Sequence, residues 1–136
     1  SYAYSLDEAN QEAQFVLSVL SQLKNYAYFL LPVAYDLEES KMAQYGKTQI
    51  TNQAVAFCDT IRAAGYMPMI YANLNWYNNY LNLPVLKNKG YKFWYANWSL
   101  NTSDFSSPVQ IGNSGITADM WQYTDNDSAF PNTDAN

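Results

Sequence analysis

The feature that most constrains this chain is a change of hydrophobic period that repeats along it. Stretches with apolar residues at helical spacing alternate with short runs that are apolar or aromatic at nearly every position, and several of these runs end in polar side chains. Continuous apolar runs of strand length are the mark of strands buried on both faces. Alternating them with amphipathic helices predicts a parallel α/β sheet or barrel.

The first helix is predicted over 6–24. Ser5-Leu6-Asp7-Glu8 fits a capping box, and Ala9, Ala13, Val16, Leu17, Leu20 and Leu23 follow at helical spacing. A buried strand is expected over 28–37. A second helix, about 49–64, is written in Ile50, Ala54, Phe57, Cys58, Ile61 and Ala64, with Gly65 where a left-handed cap is wanted. Residues 67–72 read as another buried strand, and 73–83 as a possible short helix. Aromatic strands are expected over 92–98 and 118–124, with a polar loop between them. These strands should form one largely parallel, curved sheet with the two long helices on its outer face, as a single domain over 1–136.

Composition removes several kinds of chemistry. There is no histidine and Cys58 is the only cysteine, which excludes Ser-His and Cys-His catalysis, His-ligated metals, Cys-based metal sites and an intrachain disulfide. No metal or other cofactor is expected, and Cys58 is expected to pack as a small hydrophobe. Twelve acidic against seven basic residues give a formal charge of −5, and no basic stripe offers itself to nucleic acid. The longest apolar run, 26–35, contains Pro32 and falls short of the roughly 20 residues of a membrane span. No basic segment followed by an apolar stretch opens the sequence. Any chemistry falls to carboxylates, tyrosines and amides.

In parallel barrels the working residues lie at the carboxyl ends of the strands. Here those ends carry Asp36 and Glu38, Tyr71 and Asn73, Asn97 and Trp98, then Gln122 and Tyr123. Asp36 and Glu38 are two apart on a strand, so both leave by one face while Tyr35 and Leu37 leave by the other. Two nearby carboxyls in a partly apolar pocket push at least one pKa up, leaving one group protonated beside an anion, as glycosidic cleavage requires. An isolated Asp-x-Glu more often just ends a strand and opens a solvated loop. The surroundings shift that balance: aromatics make up 17% of the chain and gather at strand ends with Asn and Gln. Flat apolar faces beside amides suit sugars. Phe15, Phe29 and Phe57 are read as core, and Tyr71, Trp98 and Trp121 as candidate stacking walls.

Pro32-Val33-Ala34-Tyr35-Asp36-Leu37-Glu38, Gly65-Tyr66-Met67-Pro68-Met69-Ile70-Tyr71-Ala72-Asn73, Trp94-Tyr95-Ala96-Asn97-Trp98 and Met120-Trp121-Gln122-Tyr123-Thr124 resemble, in order and spacing, strands of glycoside hydrolase family 25 muramidases. Ser1-Tyr2-Ala3 resembles the end of that family's third strand, and Asp134-Ala135-Asn136 its last, with Ala135 where a bulky residue is usual. The resemblance implies a TIM-barrel-like (β/α) glycosidase fold here lacking its N-terminal strand-helix units. It further implies hydrolysis of the β-1,4 bond between N-acetylmuramic acid and N-acetylglucosamine in peptidoglycan, without cofactor. Glu38 would be the general acid, with Asp36 and Asp134 stabilising the reacting centre. Tyr71, Asn73, Asn97, Trp98, Trp121 and Gln122 would hold substrate, Asn97 standing where the family more often has Gln.

The family also carries a catalytic Asp on its first strand, ahead of anything here. A further N-terminal segment or a second copy is therefore expected to complete the barrel. The glycan strands of the wall are the expected partner, met after secretion or after release by a phage at lysis. The rival expectation is an inactive cell-wall polysaccharide-binding module.

Overall fold

The computed structural model describes residues 1–23, 31–100 and 106–125. Helix α1 (Leu6–Leu23) begins at the expected cap, the Glu8 amide donating to Ser5 Oγ at 3.1 Å. The Glu8 carboxylate accepts from the Tyr4 amide at 2.5 Å, one residue beyond the reciprocal capping-box bond. Ala9, Ala13 and Leu20 are buried, and α1 packs mainly on α2 (Gly46–Ala63). The second helix ends at Gly65, whose φ of +89 supplies the left-handed cap without a Cβ penalty.

Four parallel strands lie in the order β1 (Val33–Asp36), β2 (Pro68–Asn73), β3 (Lys92–Ala96) and β4 (Met120–Gln122). The start expected for the first strand, near residue 28, lies outside the described residues. Strand β1 alternates as a two-residue period demands. Val33, Tyr35 and Leu37 are buried on the helix side, and the Tyr35 ring stacks on Phe57 of α2 at 4.5 Å. Ala34 and Asp36 face away, each half-buried. The core thus lies between the sheet and α2, with Cys58 fully buried within it.

The span 73–83 resolves into α3 (Leu74–Asn79), and a further helix, α4 (Leu83–Asn88), follows it. Tyr77, 1% exposed, pins α3 to the sheet by donating to the Ile70 carbonyl at 2.6 Å. A 3-10 helix (Ser40–Tyr45) with Met42 buried occupies the span after Glu38 that reads as a solvated loop. The polar loop before β4 contains an antiparallel bridge between Gln110 and Thr117, anchored by buried Ile111 and Ile116. Phe15, expected in the core, is 69% exposed.

Within α2, Gln53 is fully buried, and neither its Nε2 nor its Oε1 has a hydrogen-bond partner among the described residues. An unmet buried amide costs about 1–3 kcal/mol. Gln53→Met, which keeps the shape and removes the amide, is expected to raise stability by about that amount. A urea denaturation midpoint that falls instead would contradict this environment.

Candidate active site

The helix-facing rows of the sheet are filled by core side chains. The other face carries, in register, Asp36 beside Tyr71 beside Trp94 beside Met120, and then Asn73 beside Ala96 beside Gln122. These rows lie at the carboxyl ends of the strands. Gln122, 2% exposed, accepts a hydrogen bond from the Tyr71 hydroxyl at 2.6 Å across β3, past the small side chain of Ala96. The Tyr71 and Trp94 rings meet edge to face at 4.9 Å. Trp94 was not among the sequence candidates, although two-residue alternation sets it opposite the helix-facing Phe93 and Tyr95.

A cavity of about 600 Å3 opens at this edge and gathers Glu38, Tyr71, Asn73, Asn97 and Trp98, with Asn75 added from α3. Glu38 is exposed. The amide of Leu37 still donates to the Tyr71 carbonyl at 2.9 Å, so Glu38 sits just past the last strand pairing and projects over the edge. Some of these groups also shape the edge itself. Asn73 Oδ1 caps α3 by accepting from the Trp76 amide at 3.1 Å. Asn97 donates to the Tyr95 hydroxyl at 2.7 Å and accepts from Ser99, which folds the chain back after β3. Trp98 stands 54% exposed beside the cavity.

Trp121 is not gathered with them. Strand alternation turns it to the face opposite Gln122, where Nε1 donates to the Asn97 carbonyl at 3.0 Å and the ring meets Tyr123. Asp134 lies outside the described residues.

Asp36 shares the face of Glu38 but lines a different cavity, of about 470 Å3, with Ser1, Glu12, Phe15 and Tyr35. Its Oδ1 is buried without a hydrogen-bond partner among the described residues. Its pKa is raised: burial is the main cause, opposed by the Ser1 amino group, and the Glu12 carboxylate adds to the rise. One carboxylate that acts on Asp36 is thus Glu12, from α1, whereas the Asp-x-Glu spacing points to Glu38. Glu12 holds the Ser1 hydroxyl and the Tyr2 amide at 2.7 Å each, and those bonds fix it beside the end of β1. Nothing in its helical surroundings marked it in the sequence.

The raised value gives a pH dependence of definite sign. A folded-state pKa above the unfolded one means the folded chain holds the Asp36 proton longer, so the stability it contributes is present at low pH and is lost as pH rises through the folded value. Asp36→Asn stays neutral throughout. The melting temperature of the parent is therefore expected to fall relative to Asp36→Asn as pH rises through and above the ordinary carboxylate range. A constant difference across that range would count against a protonated Asp36.

A parallel sheet that sets carboxylates, aromatic rings and amides along its carboxyl edge has the layout of a (β/α) glycoside hydrolase, with the barrel left open among the described residues. The chain belongs to glycosyl hydrolases family 25, whose sequence model matches residues 1–130. Among solved structures, the crystal structure of the CTP1L endolysin, whose activity is regulated by a secondary translation product, is similar to it with a TM-score of 0.60 and 23% identity. The match covers 93% of this chain and 38% of that endolysin, so the chain spans well under half of the endolysin's length. At that identity the likeness speaks for the fold. A search of curated proteins finds no match.

Proposed function

We propose that this chain carries the catalytic edge of a lysozyme-type muramidase that hydrolyses the β-1,4 bond between N-acetylmuramic acid and N-acetylglucosamine in peptidoglycan. The observation that supports it most is the cavity at the carboxyl edge, where Glu38 meets a tyrosine, an exposed tryptophan and the amides of Asn73 and Asn97. Glu38 donates a proton to the glycosidic oxygen as the C–O bond breaks, and water completes the reaction at the anomeric carbon. Asp36 or Asp134 stabilises the positive charge that develops there, either directly or by orienting the substrate's 2-acetamido group as an internal nucleophile. No cofactor takes part in this scheme. Tyr71, held by Gln122, and Trp98 form the walls on which sugar rings lie, and Trp121 supports them through the Asn97 carbonyl.

In this reading the protein works at the bacterial wall, secreted or released at phage lysis. Tyr2 and Phe15 stand exposed beside β1, a face that a second copy could cover, and the sedimentation velocity of the chain alone distinguishes a dimer from a monomer. A binding-only wall module is the second reading, favoured by the separation of Asp36 and Glu38 into two cavities. Incubation with a peptidoglycan suspension separates the two. The hydrolase clears it and releases reducing ends, whereas the module sediments with the wall and releases none.

A further inference from the structure

A third cavity lies away from the groups discussed above, between the start of α1 and the start of α2. It has a volume of about 640 Å3 and is lined by Ser5, Asp7, Tyr45, Thr48, Gln49 and Asn52 among others. Tyr45 is braced by the Tyr4 ring, 5.8 Å away, and Gln49 ties the same wall down by donating to the Tyr4 carbonyl at 3.2 Å. Among the described residues, the side chains of Asp7, Thr48 and Asn52 make no hydrogen bond, so a fixed aromatic wall stands beside unspent donors and acceptors.

That composition selects a ligand class. No lysine or arginine lines the cavity, and its one charge is the Asp7 carboxylate on a chain of net charge −5, which disfavours phosphate and carboxylate ligands. An aromatic ring beside amides and a hydroxyl suits a neutral sugar, whose CH face packs on the ring while its hydroxyls and acetamido group find the polar partners. The 3-10 helix leads from the Glu38 side to this cavity. The 3-10 helix that starts two residues after Glu38 ends at Tyr45, roughly 12 Å along at about 2.0 Å per residue. A glycan chain crossing the carboxyl edge can span that distance.

We infer that this cavity is a secondary subsite for a neutral N-acetylated amino sugar, set beside the catalytic edge to hold a distant residue of the same glycan. The inference rests on the hydrolase reading only for the polymer; binding of the sugar itself is independent of turnover. Binding energy gathered at such a distance steadies a long substrate and has no effect on a short one.

The probe is tri-N-acetylchitotriose, titrated into the isotope-labelled chain and followed by amide chemical shifts. Shifts are expected at Tyr45, Thr48, Gln49 and Asn52. Asn52→Ala and Thr48→Ala, both at exposed helix positions, should each weaken this set by about 3- to 10-fold, the value of one neutral hydrogen bond. Unchanged shifts elsewhere report that the variants keep their fold. N-acetylmuramic acid, which is anionic, should leave the set unmoved. Shifts confined to Tyr71, Asn97 and Trp98, no shifts at all, or variants that bind as the parent does would each overturn the subsite. Wall hydrolysis measured in parallel keeps the two readings apart: loss of reducing-end release refutes the hydrolase, whereas unmoved residues 45–52 refute only the subsite.

Discussion

Glu38→Gln is expected to lower the rate of wall hydrolysis by about 10²-fold or more while leaving wall binding nearly intact, the pattern of a lost general acid. Gln keeps the size and the hydrogen-bonding reach of Glu but has no proton to give. Glu38 is exposed past the last pairing of β1, so the replacement removes no core contact and the fold should hold. Initial rates of reducing-end release and co-sedimentation with wall, measured on both proteins, provide the check. A Glu38→Gln protein that clears walls at the parental rate would refute the assignment. One that neither binds nor folds would show Glu38 to be a structural residue.

The largest effect on stability is expected at Phe57. Its ring is 3% exposed and stacks on Tyr35, joining α2 to the strand whose end carries Asp36 and Glu38. Deleting a buried phenylalanine ring costs about 3–5 kcal/mol. Whole domains are stable by about 5–15 kcal/mol, so Phe57→Ala should leave the chain marginal or unfolded at ambient temperature. Phe57→Leu keeps most of the volume and should cost clearly less. Denaturant midpoints of the three proteins test the ordering, and a Phe57→Ala midpoint close to the parent would mean that α2 does not rest on β1 through this ring.

The same two-residue period explains both what was legible in the sequence and what was misjudged. It set Asp36 and Glu38 on one face and Tyr35 and Leu37 on the other, as the structure has them. Applied to 120–122, it also separates Trp121 from Gln122, which the family resemblance groups as substrate-holding residues. Phe15 is a similar case. It lies two residues, about 200° of helix, from buried Ala13, on the exposed side of α1, and its bulk suggests a burial that its position does not provide. The two helices of 74–88 were signalled by Asn82 and Pro84 at the second start, where the Asn82 side chain accepts from the Val85 amide at 3.4 Å.

Other features have little local signature. The 3-10 helix after Glu38 buries one residue fully, Met42, and its only local mark is the Glu39 side chain that accepts from the Lys41 amide at 3.0 Å. The division of Asp36 and Glu38 between two cavities depends on where the sheet pairing stops and on Glu12 arriving from α1. Both are set by tertiary packing, which spacing in one segment does not encode.

The central claim is that this sheet edge cleaves a glycosidic bond on the muramic acid side. The measurement that meets it most directly is the identity of the new reducing ends after purified peptidoglycan is digested, reduced with borohydride and hydrolysed in acid. The account predicts that muramic acid is converted to its alcohol in step with clearing. Reduced glucosamine in its place, or no reduced sugar while the protein sediments with the wall, would contradict it.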